Sequence, residues 1–463
     1  MAPLDYSNYL SDKGKMALPD GIRGLFPLEK HCKVSFLAGK PNPETFPFSS
    51  MTLHLKPPLE TPVSLQNGSS SQEVDVNGDK RADGGVDLEI EGADMEEALQ
   101  YQTAQLKREL DNQATGEVTR EEVNALRGDD NAQGVQEVPW RVTVGGGCQD
   151  LLFKAFGAIF NPGDSILVET PVYAGVISQF MTLHVNQVEV QVDDQGVSPD
   201  SLRQVLGSWP ADKPKPKAIY LVPVGSNPTG CSSTTERKLE VLKICVENGI
   251  MIIEDDPYYF LAADRRPSYF QLETQVVPEG GHVIRFDSFS KVLSSGMRLG
   301  FAAGPEAILK AMDVASSTAN LQPNGVAQAV ALRLLRYWGI RGFIDHCERV
   351  AAFYAKRRDK FEAIARKHLD GIATWVSPVA GMFLWIDVSP IDDSSDLVQK
   401  EARELGVLAV PGFAFLPNHG KSSFLRVSFS IVDMDNKAEL GFELLSQAIR
   451  QRLERLRAEG KLQ

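Results

Sequence analysis

Between residues 140 and 304 the chain alternates two hydrophobic rhythms. Short apolar runs rich in Val and Ile recur at 141–144, 165–169, 188–191, 218–222, 251–254, 283–286 and 299–303. Each reads as a strand. Between them lie stretches with apolar positions three and four apart, as at 149–160, 200–208 and 234–248, which read as helices. Strands apolar on both faces, interleaved with helices, predict an α/β fold with a mainly parallel seven-stranded sheet in a large domain. In such sheets ligands bind beyond the carboxyl ends of the strands. After 304 the rhythm changes. Helical stretches at 323–338 and 340–368 precede short strands at 373–376, 382–388, 407–410 and 423–428, and a last helix runs from about 433 to 458. That pattern predicts a smaller α+β domain.

One stretch fits neither rhythm. Residues 61–97 are polar, acidic and rich in Gly, Ser and Asp, and bury too little apolar area to offset the entropy of ordering. The expected division is therefore an arm with part of the small domain at 1–60, a disordered insert at 61–97, a large domain at 98–330 and a small domain at 331–463.

Composition narrows the classes. The 463 residues are 43% hydrophobic and 24% charged, ordinary for a globular protein. A net charge of −13 argues against a nucleic-acid or anionic-membrane partner, since both need local Lys and Arg excess. Cys32, Cys148, Cys231, Cys245 and Cys347 are odd in number and form no CxxC pair, so neither a disulfide framework nor a metal site is expected. The first residues lack the charged and apolar regions of a signal peptide, and no apolar run reaches the length of a membrane span. The expected location is the cytoplasm.

The chemistry starts at Lys291. It follows the strand at 283–286 within Asp287-Ser288-Phe289-Ser290-Lys291, and Arg298 comes seven residues on. A lysine amine forms Schiff bases with carbonyls when its surroundings lower its pKa. Two serines and a guanidinium beside it would hold a phosphate. An aldehyde and a phosphate next to one lysine suggest pyridoxal phosphate. Other segments fall at strand ends. Asp255, in Glu254-Asp255-Asp256-Pro257-Tyr258, is placed to pair with a ring nitrogen and keep it protonated, with Tyr258 within reach of a phenolic oxygen. The turn Asn227-Pro228-Thr229-Gly230 offers an amide to the same oxygen. Gly145-Gly146-Gly147-Cys148-Gln149 leads from a strand into a helix, where backbone N–H groups favour an anion. Tyr173 ends another strand and can stack on a planar ring. Arg426, in an alternating strand, suits a bidentate clamp on a carboxylate.

Taken in order, Tyr173, Asn227, Asp255 with Tyr258, Ser288-x-Ser290-Lys291, Arg298 and Arg426 resemble the class I/II aminotransferases that depend on pyridoxal phosphate and share fold type I. Leu37-Ala38-Gly39-Lys40-Pro41, Ala98-Leu99-Gln100-Tyr101 and Leu425-Arg426-Val427-Ser428-Phe429 are most similar to the subgroup of fungal aromatic and mammalian kynurenine/α-aminoadipate aminotransferases. The resemblance implies the roles. Lys291, Asp255 and Tyr258 are catalytic, with Lys291 as the Schiff-base lysine. Cys148, Gln149, Ser288, Ser290 and Arg298 hold the phosphate, Tyr173 stacks on the ring, and Asn227 and Tyr258 take the phenolic oxygen. Arg426, Asn227 and Gly39 bind the substrate. Tyr101 reaches the phosphate of a neighbouring subunit, so a homodimer is implied. The reaction implied is transfer of the α-amino group of Phe, Tyr, Trp, kynurenine or 2-aminoadipate to a 2-oxoacid such as 2-oxoglutarate. Left open are another reaction of the same cofactor (β-elimination or decarboxylation) and a specialised secondary-metabolite route. Cys148 departs from the family, which usually has a small hydroxyl residue or Ala there, and Lys40 and Ser295 also depart from the usual Gly and Pro.

Overall fold

A computed structural model describes residues 50–55, 78–80, 86–91, 138–407, 409–418, 420–430 and 432–462. Gly39 and Tyr101 lie outside the described residues, as does most of the expected N-terminal arm. The strands in chain order are β1 Ser50–Leu55, β2 Gly78–Lys80, β3 Val86–Glu91, β4 Trp140–Gly145, β5 Ser165–Thr170, β6 Asn186–Asp193, β7 Gly196–Val197, β8 Ala218–Leu221, β9 Met251–Asp255, β10 Val283–Ser288, β11 Gly300–Pro305, β12 Thr374–Trp375, β13 Phe383–Asp387, β14 Val410–Pro411 and β15 Phe424–Ser428. The main helices are α1 Cys148–Ile159, α2 Ala174–Thr182, α3 Pro199–Gly207, α4 Thr235–Glu247, α5 Tyr269–Val276, α6 Glu306–Ala319, α7 Gly325–Leu369 and α8 Lys437–Ala458. Gly339, at φ 61° and ψ −178°, breaks α7 into two helices, between the two stretches that periodicity predicts.

The chain forms two compact units, one of residues up to Pro162 with Tyr269–Arg349, the other of Gly163–Ser268 with Val350–Gln463. In the first unit β4 pairs with β11 and β11 with β10, all antiparallel. The register aligns Gly145, Gly300 and Ser288 at one end. The glycine run and the lysine segment therefore leave the sheet side by side. Helices α1 and α6 pack on each other and on these strands. Leu151, Leu152, Phe156 and Ile159 of α1 and Ile308, Leu309 and Met312 of α6 are buried. Each such side chain contributes roughly 1.5–3 kcal/mol by leaving water.

The first unit also holds a small antiparallel sheet in the order β1-β3-β2. Strands β2 and β3 fall inside 61–97, the segment expected to be mostly disordered. The reason is local. Val86-Asp87-Leu88-Glu89-Ile90-Glu91 alternates apolar and acidic residues with the period of a strand, and Met51-Thr52-Leu53-His54-Leu55 offers a matching partner. Averaged composition hides a six-residue alternation.

In the second unit β9, β8, β5 and β6 pair in parallel, in that order, and β7 folds back on β6. Eight strands thus stand where seven were expected. The extra one is the two-residue β7, closed by a hairpin in which Gly196 takes φ 89°. Every residue of β8 and β9 is buried, as strands covered on both faces require. Ser198 and Thr234 cap α3 and α4 by accepting from the backbone N–H of Ser201 and Arg237. A second, antiparallel sheet runs β12-β13-β15-β14 and shares a core with α8.

Candidate active site

In the first unit, β10 delivers Ser288 and then a single 3-10 turn, Phe289–Lys291. The Ser288 hydroxyl accepts from the Ser290 N–H at 3.2 Å. Phe289 is buried against Phe301 and Phe343, with ring centroids 5.7 and 6.4 Å away. This anchor fixes the turn and leaves Lys291 half-buried at its end. Ser294 caps the next turn, and Arg298 leaves it in the left-handed region at φ 50°. A non-glycine residue held there is strained, and such strain persists only where surrounding bonds hold it. Here the guanidinium donates to Gly146 O at 3.0 Å, Ser295 O at 3.2 Å and Ser290 Oγ at 3.4 Å.

The glycines shape the same corner. Gly147 is the N-cap of α1, with φ 93° and no side-chain cap. A Cβ there would lie 2.9 Å from Arg298 Nη2, and one at Gly300 would lie 2.6 Å from Asp287 O. Asp150 in the first turn accepts from Gly146 N–H at 2.8 Å, and its charge is matched by Lys154 at 2.7 Å. A helix start, an exposed arginine, two hydroxyls and a lysine thus share one edge of the sheet. The donor set fits a phosphate monoester.

The second unit carries a buried group. Asp255 ends β9 and accepts from the Tyr220 hydroxyl at 2.7 Å. Tyr220 is fully buried on the neighbouring strand, and burial followed by the Asp255 charge pushes its phenol well above the usual range. Glu169 follows Val168, the register partner of Tyr220 on β5, and accepts from the Val222 N–H at 3.0 Å. Burial raises the Glu169 carboxyl to about 8; the Val222 bond opposes the rise and the Asp255 charge adds to it. Two buried carboxyl groups thus lie near each other, and one of them is held well above the usual carboxylate range.

Arg426 comes from β15, opposite Trp385 on β13 and Val410 on β14. Its guanidinium lies 4.3 Å from the Phe383 ring and 5.2 Å from the Phe415 ring, and donates to Asn227 Oδ1 at 2.9 Å. Burial lowers its pKa, while the Tyr258 and Tyr173 phenols act the other way. Tyr258 is buried, edge-on to Phe383 at 6.3 Å. Asn227-Pro228 is cis. Tyr173 is half-buried as N-cap of α2, and Gly175 makes room for it, since a Cβ there would sit 2.5 Å from the ring.

The structure thus groups Cys148, Gln149, Ser288, Ser290, Lys291 and Arg298 in one unit, and Tyr173, Asn227, Asp255, Tyr258 and Arg426 in the other. Sequence reasoning assigned no role to Tyr220, Glu169, Phe383 or Phe415. Tyr220 lies in an apolar strand and reads as core. Glu169 was visible as a polar residue ending a buried strand, the signal that could have found it.

The sequence model of the family "Aminotransferase class I and II" matches residues 88–440. The chain is a class I and II aminotransferase. This aminotransferase is 38% identical to "Aminotransferase tdiD" of Emericella nidulans, over 90% of each chain. It is 33% identical to the mitochondrial kynurenine/alpha-aminoadipate aminotransferase of Rattus norvegicus, over 96% of this chain and 99% of the relative. Among solved structures it is similar to aminotransferase Aro8 from Candida albicans, with a TM-score of 0.80 at 24% identity, covering 98% and 99% of the two chains. It is also similar to the α-aminoadipate aminotransferase LysN from Thermus thermophilus, with a TM-score of 0.61 at 30% identity over 68% and 78%. The aminotransferase has the α/β fold expected of it. Among the described residues, no helix is long and apolar enough to cross a membrane.

Proposed function

We propose that this aminotransferase uses pyridoxal phosphate to move the α-amino group of an aromatic amino acid (Phe, Tyr, Trp or kynurenine) or of 2-aminoadipate to a 2-oxoacid such as 2-oxoglutarate. The observation that carries the reading is Arg426, held by Asn227 and flanked by Phe383 and Phe415. A half-buried guanidinium oriented in this way suits a carboxylate, and the rings beside it suit an apolar substrate body. The substrates for which the relatives in rat and Thermus are named support the same class.

Pyridoxal phosphate, when bound, supplies an electrophilic carbon for the amine and an electron-withdrawing ring. The residues present fit it: the corner at Gly147 would be filled by a Cβ, and the donors there match a phosphate. Cys148, Gln149, Ser288, Ser290 and Arg298 hold that phosphate. Asp255 would pair with the ring nitrogen. Asn227 and Tyr258 orient the phenolic oxygen, and Tyr173 stacks on the ring. Lys291 Nζ would move the proton at the donor's Cα. Arg426, with Gly39, would bind the donor's carboxylate. The reading includes a cytoplasmic homodimer in which Tyr101 completes the neighbouring phosphate site.

The test is absorbance of the purified protein with pyridoxal phosphate, as Phe, 2-aminoadipate and kynurenine are added in turn, beside Lys291→Ala. The expected result is a band that shifts with one donor, returns with 2-oxoglutarate and never shifts in the variant. A band that forms and shifts with no donor would sink the substrate assignment.

A further inference from the structure

Asp255 has a partner that none of the roles above includes. The Tyr220 hydroxyl donates to its Oδ2 at 2.7 Å, from the middle of a fully buried strand. Resting on the functional reading just given, we propose that Tyr220 is a positioning residue for the reaction: its hydroxyl fixes and charges the Asp255 carboxylate that holds the ring-nitrogen proton.

The argument is one of burial and register. Asp255 is itself buried at the end of β9, and a carboxylate in such a place favours its neutral form. A neutral carboxyl would hold a ring proton poorly. A donated hydrogen bond favours the charged form, and a hydroxyl on a carboxylate is among the stronger bonds available. The phenol is suited to the task because it stays a donor, being held far from its own ionisation. The pairing of the strands sets the geometry. Tyr220 pairs with Ile253 on β9 and with Val168 on β5, so its ring stands between strands whose ends carry Asp255 and Glu169. Edge-on packing with Phe180, at 6.4 Å between ring centroids, steadies the ring. Core packing alone would ask only for Phe at this position. The hydroxyl needs a reason, and its contact with Asp255 supplies one.

The experiment compares wild type and Tyr220→Phe as holoenzymes in three measurements: equilibrium retention of pyridoxal phosphate, the pH midpoint of the cofactor absorbance, and kcat against KM for the donor. Tyr220→Phe is expected to retain the cofactor about tenfold less tightly, the size of one lost charge-assisted bond. Its absorbance midpoint is expected to move to higher pH, and kcat to fall while KM stays. Retention, midpoint and kcat all at wild-type values would overturn the inference, even with a lowered Tm, because the hydroxyl would then serve packing only. Tyr220→His keeps an N–H donor in a smaller ring and covers the case in which Tyr220→Phe does not fold. An absorbance midpoint at the wild-type pH in that variant supports the role of a donor, and a midpoint displaced upward together with wild-type retention overturns it. A wild type that takes up no pyridoxal phosphate overturns the functional reading itself, and this inference with it.

Discussion

The two groups of functional residues are built on opposite principles. In the first unit the charge of Arg298 is exposed and is met by two backbone carbonyls and a hydroxyl. In the second unit Asp255, Glu169 and Tyr220 are buried together and Arg426 is wedged between rings. An exposed charge is stabilised by water whatever its neighbours do, so its partners fix position more than energy. A buried charge depends on its partners for existing at all. The same kind of substitution should therefore cost more in the second unit than in the first.

The sharpest case is Asp255→Asn. The shape is kept, the amide cannot ionise, and on the proposed reading the ring nitrogen would lose its carboxylate partner. We expect kcat to fall about 10²–10³-fold, the range seen when a charge-stabilising group is removed from a dry site. Steady-state kinetics of holoenzymes with equal cofactor occupancy checks this. A loss under tenfold would break the contrast between the units at its strongest point.

Glu169 gives a pH-dependent version of the contrast. Its carboxyl is raised to about 8 in the folded protein, from 4.5. Between those values the folded state holds a proton that the unfolded state has released, so stability falls as pH rises through the window. Glu169→Gln keeps an oxygen for the Val222 N–H and cannot ionise. It should match wild type near pH 5 and exceed it by a few kcal/mol near pH 9, since each tenfold difference in proton affinity between the two states is worth about 1.4 kcal/mol. Thermal unfolding at a series of pH values is the measurement, and parallel curves for the two proteins would sink the idea.

The contrast also explains what the sequence made legible. Ser288, Ser290, Lys291 and Arg298 sit in one short segment, and Gly145-Gly146-Gly147 is visible as a run, so a reader meets most of the first unit's group as local motifs. Asp255, Asn227 and Tyr173 each stand at a strand end and could be named. Their partners could not. Tyr220 reaches Asp255 only because two parallel strands pair in one register, and Phe415 reaches Arg426 from the 3-10 turn at Gly412–Phe415. No periodicity encodes that pairing. The fold was readable for the same reason as the motifs: buried parallel strands leave unbroken apolar runs. The strands β2 and β3 were missed because a short acidic alternation was averaged into its polar surroundings.

Arg426→Lys tests how much of the second unit's cost is geometry. The charge stays, but the planar fork that meets both Asn227 and a carboxylate is lost, along with stacking on Phe383. We expect kcat/KM for the donor to fall about 10²-fold, the upper part of the range for losing a bond to a charged group in a half-buried place. The fall should lie mostly in KM, because the carboxylate is bound before and during the reaction alike.

Arg298→Lys is the matched change in the first unit and should have the smallest effect. Lysine keeps the charge and loses the fork, as in the second unit, so the chemistry of the substitution is the same and only the surroundings differ. Arg298 is exposed, and its partners at Gly146, Ser290 and Ser295 are oxygens that water can serve in its absence. We expect retention of pyridoxal phosphate to weaken by about tenfold or less, as for one exposed charged contact, with kcat almost unchanged once the cofactor is saturating. Because the contact is open to solvent, the loss should shrink as salt is raised, whereas the Arg426→Lys loss should not. Cofactor titrations of Arg298→Lys and donor KM measurements on Arg426→Lys, each at low and high ionic strength, measure this directly. Equal salt dependence in the two would mean that burial does not separate the groups, and that the difference between the units lies in the chemistry of the ligands they hold.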